Sequence, residues 1–154
     1  MGVMEFKLNR HINAPIDVVF AKATDLRKAD QVISAITKLE VLTDGPIRVG
    51  TRFRETRVMF KREATEEMEV TRLDAPHGYS LGCENHGCRY NTEFNLTEKD
   101  GGTELEMIFQ AEPLTLTAKV MGFLMRPMLK RCLIETGRDL DDLKQAVEAE
   151  LAPA

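Results

Sequence analysis

The side chains most able to carry out chemistry lie in the middle third of the chain. Cys83 and Cys88 flank the turn sequence Asn85-His86-Gly87. Their spacing is compatible with a cross-strand disulfide, with a metal site that adds His77 and His86, or with two small apolar side chains in a wall. The chain has three cysteines, an odd number that is typical of reduced thiols. We therefore favour the third interpretation and expect neither a bound metal nor a cofactor.

Carboxyl and phenol groups are the other candidates for chemistry. Glu55 and Glu66 would have raised pKa values in an apolar pocket and could then transfer protons. The hydroxyl groups of Tyr79 and Tyr90 could orient a ligand. The sequence contains no G-x-S-x-G elbow, no phosphate-binding glycine loop and no H-E-x-x-H motif. It therefore favours a binding protein over an enzyme.

Composition limits the kinds of partner. The chain has 154 residues, with 21 Lys and Arg against 25 Asp and Glu, and a net charge of −4. An acidic balance disfavours a nucleic-acid partner, because such binders present a basic surface. The first residues lack the basic and apolar regions of a secretory signal, and no apolar run approaches the length of a membrane span. We therefore expect a cytoplasmic protein.

The elements that must position these residues follow from hydrophobic periodicity. Alternation over Val3–Ile12 predicts a strand, and the apolar spacing after Pro15 predicts two short helices. From Ile36 onward the period is two, and short Gly-, Pro- and Asn-rich turns separate the segments, which indicates an antiparallel sheet. The six further predicted strands are Ile36–Leu42, Thr51–Phe60, Glu63–Leu73, Tyr79–Glu84, Arg89–Thr97 and Glu104–Gln110.

The last third of the sequence has helical spacing. An apolar stripe with steps of three or four residues begins at Leu129 and ends at Leu151. Pro127 lies within the helical pattern, so we expect a kink or break just before it. Gly137 lies beside the stripe, where the missing side chain allows a close approach to the sheet or leaves space beneath the helix.

This order of elements resembles the START-like (SRPBCC) superfamily, and within it the polyketide cyclase/dehydrase-like branch. The segments that carry the resemblance are Ile12–Phe20, Val49–Arg54, Gly101–Leu105 and the final helix. The resemblance implies an α+β helix-grip fold, in which a seven-stranded curved antiparallel sheet wraps around a long C-terminal helix, with two short helices between strands 1 and 2. It implies a single START-like domain over residues 1–151, a short tail over 152–154, and an apolar cavity between sheet and helix.

Successive side chains of a strand point to opposite faces of the sheet, and this strand parity predicts which of them face that cavity. The strand 51–60 is ambiguous: either Phe53, Glu55, Arg57 and Met59 face inward or the alternate set does, and we favour the first. An inward apolar stripe is also compatible with solid core packing. The expected ligand-binding residues, which include methionines of the C-terminal helical region, are Phe53, Glu55, Arg57, Met68, Val70, Tyr79, Leu81, Cys83, Cys88, Tyr90, Phe94, Met107, Phe109, Met121, Met125 and Leu129.

We therefore expect a protein that binds, and potentially transports, a small hydrophobic or aromatic ligand such as a lipid or a polyketide-like compound. One alternative is a cyclase, aromatase or dehydratase, and another is a quinone or lipid chaperone that docks on a membrane. The last is suggested by the region from Leu114 to Ile134, which has four cations and no acid. Such a helix can contact an anionic membrane, or it can be a cavity lid whose cations face water. The oligomeric state is left open between monomer and dimer.

Overall fold

The computed structural model describes residues 3–85 and 87–151. The predicted tail, residues 152–154, and His86 lie outside the described residues. The elements in chain order are β1 (Met4–Ile12), α1 (Ile16–Thr24), a 3₁₀ turn (Leu26–Lys28), α2 (Ala29–Val32), β2 (Ile36–Val41), β3 (Arg52–Met59), β4 (Arg62–Asp74), β5 (Gly78–Asn85), β6 (Cys88–Lys99), β7 (Gly102–Pro113), α3 (Leu116–Leu124) and α4 (Arg126–Leu151).

All seven strands form one antiparallel sheet in the order β1-β7-β6-β5-β4-β3-β2. Strands β2 to β7 pair with their neighbours in sequence, as their short turns require. Strand β1 pairs with β7, in a register that sets Ile12 opposite Thr103. The predicted α+β class is confirmed, with short helices between β1 and β2 and a long C-terminal helix.

One face of the sheet packs against α4 and the short helices. Its largest group of buried side chains includes Ile12 from β1, Leu105 and Met107 from β7, and Leu140 and Val147 from α4. This layer of helix on sheet buries the apolar stripe that the sequence places along α4. The opposite face carries polar and charged side chains, as the alternation along the strands predicts.

The structure resolves the ambiguity of the strand 51–60 in favour of the preferred set. Phe53 is 1% exposed, whereas Arg52 and Arg54 lie on the outer face. On that face they form ion pairs with glutamates of the neighbouring strands. Inward parity therefore brings Glu55 and Arg57 to the concave side of the sheet.

The C-terminal helical region is broken where the sequence predicts it. Met125 separates α3 from α4, and Pro127 is the second residue of α4. Proline lacks the N–H that would continue the ladder of the preceding helix, so it is tolerated only within a first turn. The predicted break just before Pro127 is therefore present, at Met125. A β-carbon on Gly137 would lie 3.0 Å from Arg10 Nη2, which shows a close approach of α4 to β1.

Acidic side chains fix the C-terminal half of α4 to the rest of the molecule. Asp141 accepts a hydrogen bond from Arg10 Nε at 2.6 Å. Asp142 accepts bonds from both the backbone N–H and the hydroxyl of Ser34, at 2.9 and 2.8 Å. Glu148 accepts a bond from the backbone just beyond β1. These contacts hold the helix in one position over the sheet.

Candidate functional site

A cavity of about 420 Å³ lies between the concave face of the sheet and α4, with the short helices along one side. Its volume falls within the range of roughly 300–1,000 Å³ that small-molecule sites occupy. Tyr79, Met107 and Leu143 close its deep part, each less than a tenth exposed. Ala64 and Glu66 of β4 also line it and are exposed, so the cavity opens toward that side.

Twelve of the sixteen side chains expected at the ligand site line this cavity. They come from five strands and from the first turn of α4. These residues are Phe53, Glu55, Arg57, Met68, Tyr79, Leu81, Cys83, Tyr90, Phe94, Met107, Phe109 and Leu129.

The other four expected residues do not line the cavity. Val70 is 2% exposed and packs with Phe53 in a second group of core residues. Cys88 is the first residue of β6, beyond the reach of the cavity. Met121 is 49% exposed on α3, and Met125 lies at the break between the helices. Parity predicts the face of a strand but not how far along it the cavity extends.

Part of the cavity wall was not predicted from the sequence. The short helices and β2 contribute Leu26, Val32, Ile33, Ile36 and Leu39. The helix α4 contributes more side chains of its apolar stripe, and among them a charged one, Asp139. Asp139 follows the cavity-lining Thr136 by three residues and precedes Leu143 by four, so helical spacing places it on the same face. The expected set included only Leu129 from this helix, so neither Asp139 nor its apolar neighbours on α4 were predicted.

Aromatic side chains form one wall. Tyr79 stacks on Phe94 with ring centroids 4.5 Å apart, and Phe20 meets it edge-on at 6.1 Å. Tyr90 stacks on Phe109 at 5.9 Å. Burial raises the pKa of Tyr79, and burial together with a hydrogen bond to Cys88 raises the pKa of Tyr90 to about 12. Both phenols are therefore protonated at neutral pH.

An ionic cluster interrupts the apolar wall. Arg57 Nη1 donates to Asp139 Oδ2 at 2.9 Å, and Arg57 Nη2 donates to Glu55 Oε1 at 3.0 Å. The side chains of Arg57, Asp139 and Glu55 are 18%, 16% and 13% exposed, respectively. Burial opposes the charge of Arg57, but its two carboxylate neighbours outweigh that effect and raise its pKa. The guanidinium is therefore permanently charged, and the cluster carries one net negative charge when both carboxyl groups are ionised.

Asp139 has the least complete set of contacts in this cluster. Its Oδ1 is buried and has no hydrogen-bond partner among the described residues. Burial raises the pKa of Asp139 to about 6, although the ion pair with Arg57 acts in the opposite direction. A carboxyl group with this pKa changes its protonation state close to neutral pH, and it lies in a cavity wall.

A second polar group lies toward the open side. Cys83 Sγ donates to Glu66 Oε2 at 3.6 Å, and Asn85 Nδ2 donates to Glu66 Oε1 at 3.1 Å. Burial, and then the charge of Glu66, raise the pKa of Cys83 to about 11. Cys83 and Cys88 are both unbridged thiols. Over residues 3–85 and 87–151, no group of His, Cys, Asp and Glu has the arrangement of a metal site.

Fold and cavity together define a helix-grip protein whose cavity has the size of a small-molecule site, and the sequence shows the family. Residues 4–148 match the model of the family described as polyketide cyclase / dehydrase and lipid transport, and the chain belongs to that family. A comparison with curated proteins finds no match. In the described part of the chain, no helix is both long and apolar enough to cross a membrane.

Solved structures share the fold at low sequence identity. The protein TTHA0849 from Thermus thermophilus has a TM-score of 0.78 and 21% identity, over 97% of this chain and 100% of that one. The Zhui aromatase/cyclase from Streptomyces sp. R1128 has a TM-score of 0.78 and 14% identity, over 97% and 96%. The di-domain aromatase/cyclase StfQ of the steffimycin biosynthetic pathway has a TM-score of 0.80 and 14% identity, over 97% and 52%.

Proposed function

We propose that the cavity binds a small, neutral, apolar or aromatic compound that carries a hydroxyl group. The observation that supports this most strongly is the combination of a largely apolar cavity of about 420 Å³ with one ionic cluster in its wall. Sites of this kind hold the ligand body by apolar contact and fix its orientation through a few polar groups. Lipids and polyketide-like compounds belong to the class of ligand that fits this description.

The charge of the cluster supports a neutral ligand. Glu55 and Asp139 together outweigh the single positive charge of Arg57, so a carboxylate ligand would meet net negative charge at this cluster. The other cation that lines the cavity, Lys22, is paired with Glu150. The free oxygen of Asp139 is instead an acceptor without a donor among the described residues. A buried acceptor without a partner costs free energy. A ligand hydroxyl that donates a hydrogen bond to this oxygen removes that cost, and this stabilises the bound state.

Three matched probes test this proposal by isothermal titration calorimetry at pH 7.5. The probes are 2-naphthol, which has a hydroxyl donor, 2-methoxynaphthalene, which has none, and 2-naphthoate, which is an anion. A hydrogen bond to a charged acceptor contributes about 1.5–3 kcal/mol, so 2-naphthol should bind at least about tenfold more tightly than the methyl ether. Equal affinities for all three probes, or a preference for the anion, would contradict the proposal.

Two tryptophan variants locate the binding. Cys132 lines the cavity from α4, whereas Ile134 is 65% exposed on the outer side of the same helix. We expect Cys132→Trp to fill the cavity and weaken 2-naphthol binding more than tenfold, and Ile134→Trp to leave it unchanged. The chain contains no tryptophan, so each variant also has a single fluorescent reporter. Loss of binding in both variants, or in neither, would place the probe elsewhere.

The position of Asp139 favours a second candidate function, proton transfer on the bound compound, as a cyclase or dehydratase requires. A general base works best when its pKa is close to the working pH, and the pKa of Asp139 is raised to about 6. The probe reaction is deuterium exchange at C1 of 2-tetralone, followed by NMR. Wild-type protein should accelerate the exchange above pH 6, and Asp139→Asn should lose about a hundredfold or more of that acceleration. Equal exchange with and without protein would rule out this activity.

A further inference from the structure

The helix α3 exposes its large apolar side chains instead of burying them. Leu116, Val120, Phe123 and Leu124 are 78%, 53%, 60% and 65% exposed. Val120, Phe123 and Leu124 follow Leu116 by four, seven and eight residues, so all four side chains lie on one face of the helix. Isolated exposed apolar residues are ordinary, but a continuous stripe of them marks an interaction site.

The opposite face of α3 consists of small residues that pack on the sheet. Ala118 is 6% exposed and lies beside Gly87, which precedes β6. A β-carbon on Gly122 would lie 3.7 Å from Met4 Cε, so this part of the helix is close to β1. The small residues allow a close approach of α3 to the sheet, and they thereby turn its large side chains outward.

Unpaired cations surround the apolar stripe. Lys119, Arg126, Lys130 and Arg131 are all exposed, and none of them forms an ion pair within the described residues. The segment Leu114–Ile134 contains no acidic residue. The first acid of α4, Glu135, directly follows the segment and is paired with Arg138 at 3.3 Å. The next acids, Asp139, Asp141 and Asp142, are bound to the rest of the molecule. The outer surface of the segment is therefore positive.

We propose that the segment Leu114–Ile134 docks on an anionic lipid bilayer. Leu116, Phe123 and Leu124 would enter the boundary between headgroups and acyl chains, while the cations contact lipid phosphates. An interfacial helix combines these two features, apolar insertion and attraction to an anionic surface. The proposal concerns a surface outside the cavity, so it does not depend on the ligand class proposed above.

Charge complementarity favours a membrane over a second copy of the chain. In a twofold dimer through this segment, the same four cations of each copy would face one another. The segment offers no acid to pair with them. An anionic bilayer, by contrast, supplies phosphate groups at every position, and the fluid lipid adapts to side chains of any shape.

The docking surface and the cavity share a wall. Leu129, Cys132 and Leu133 line the cavity from the first turns of α4, while Lys130 and Ile134 of the same turns are exposed. A protein docked through this segment would hold one wall of its cavity against the bilayer. This arrangement would let an apolar ligand pass between membrane and cavity over a short distance.

Vesicle flotation tests the proposal with the whole 154-residue chain. The vesicles are phosphatidylcholine alone, or phosphatidylcholine with about 30% phosphatidylglycerol, a composition that gives an anionic surface. Wild-type protein should float with the anionic vesicles at low salt and remain in solution with the neutral ones. Binding should weaken steeply toward about 1 M NaCl, where the screening length falls to about 3 Å. A failure to float with anionic vesicles at low salt would overturn the proposal.

Two sets of variants separate charge from apolar insertion. Replacing Lys119, Arg126, Lys130 and Arg131 by Gln should reduce the partition coefficient more than about a hundredfold, since each near-surface cation contributes about fivefold. The matched control replaces four exposed cations outside the segment by Gln and should bind like wild type. The control positions are Lys28, Lys61, Arg62 and Lys99, which are exposed and form no ion pair within the described residues, like the four cations of the segment.

The apolar variant is Leu116→Ser with Phe123→Ser and Leu124→Ser, all at exposed positions, so the fold should be retained. It should lose vesicle binding at unchanged net charge and still bind 2-naphthol. Vesicle binding equal to that of wild type would overturn the insertion. A different outcome is that the wild-type protein does not bind vesicles and instead forms a dimer, which this variant dissociates. That outcome would show that a second copy of the chain covers the segment, and it would overturn the proposal.

Discussion

Arg57 and Asp139 join the sheet to the C-terminal helix across the cavity, with 2.9 Å between Arg57 Nη1 and Asp139 Oδ2. The two residues are 82 positions apart in sequence. Glu55 accepts a hydrogen bond from Nη2, the other terminal nitrogen of the same guanidinium. The pair is at once a link between β3 and α4 and the principal polar feature of a largely apolar wall, so its variants should affect both stability and binding.

The first prediction concerns the stability contribution of this pair. Replacing Arg57 by Met leaves two carboxylates without their counter-ion in a site less than a fifth exposed. We expect a loss of about 3 kcal/mol of unfolding free energy at pH 8, measured by urea denaturation. Arg57→Met with Asp139→Leu should be more stable than the single variant, because it removes one of the stranded charges.

The control for Arg57→Met is Arg54→Met, which removes an arginine from the outer face of the sheet. Arg54 pairs with Glu67 at 3.0 Å, but both side chains are 44% exposed. Such a surface pair contributes about 0–1 kcal/mol. Equal losses for Arg57→Met and Arg54→Met would contradict the structural role of the cavity pair.

The second prediction is a dependence of stability on pH that Asp139 causes. Its pKa is raised from 3.8 to about 6 in the folded protein, so the folded state binds more protons than the unfolded state between those values. Unfolding free energy should therefore fall as pH rises from about 4 to about 6, by about 3 kcal/mol. Asp139→Asn should lack this decrease. A wild-type curve parallel to that of the variant would show that Asp139 titrates normally.

The third prediction separates packing from hydrogen bonding at Tyr79. Its ring stacks on Phe94 and meets Phe20, and the residue is 6% exposed. Tyr79→Ala should destabilise the fold by about 3–5 kcal/mol in thermal or urea unfolding. Tyr79→Phe should retain stability and bind 2-naphthol within threefold of wild type. A large loss of affinity in Tyr79→Phe would instead assign the hydroxyl to ligand contact.

The fourth prediction uses the thiols as reporters of cavity occupancy. Cys83 and Cys132 line the cavity, whereas Cys88 does not. In proteins that retain one cysteine each, 2-naphthol should slow alkylation by iodoacetamide at Cys83 and Cys132 and leave Cys88 unaffected. Because its pKa is raised to about 11, Cys83 has a much smaller thiolate fraction at pH 8 than an unperturbed thiol. A thiolate of higher pKa is also more nucleophilic, so the net reaction should be about tenfold slower. Uniform protection of all three thiols would indicate a global effect.

The strands and their faces could be predicted because burial on one side of a sheet imposes a period of two on the sequence. The ends were less predictable: β7 continues to Pro113, three residues beyond the predicted Gln110. Both residues are paired, Gln110 with Asn91 and Pro113 with Cys88, and such a pairing depends on the neighbouring strand. The type of each helix or strand could therefore be predicted from the sequence, but the residues at which it begins and ends could not.

Helical spacing predicts Leu129 in the cavity wall, and strand parity predicts most of the other expected residues that line it. Phe53 and Arg57 were found in this way, but Asp139 was not, because its inward position depends on how α4 lies over the sheet. Met121 was expected inside and lies outside, since the small Ala118 and Gly122 take the inner face of α3. Competition between side chains for one helix face is a tertiary effect that periodicity does not resolve.

A crystal structure of the protein with 2-naphthol bound would test the proposed binding site most directly. The rings should lie in the cavity between the aromatic wall and Leu133, with the hydroxyl oxygen about 3 Å from a carboxyl oxygen of Asp139. A naphthol bound only on the outer surface, or one whose hydroxyl points away from Asp139 inside the cavity, would contradict the proposal.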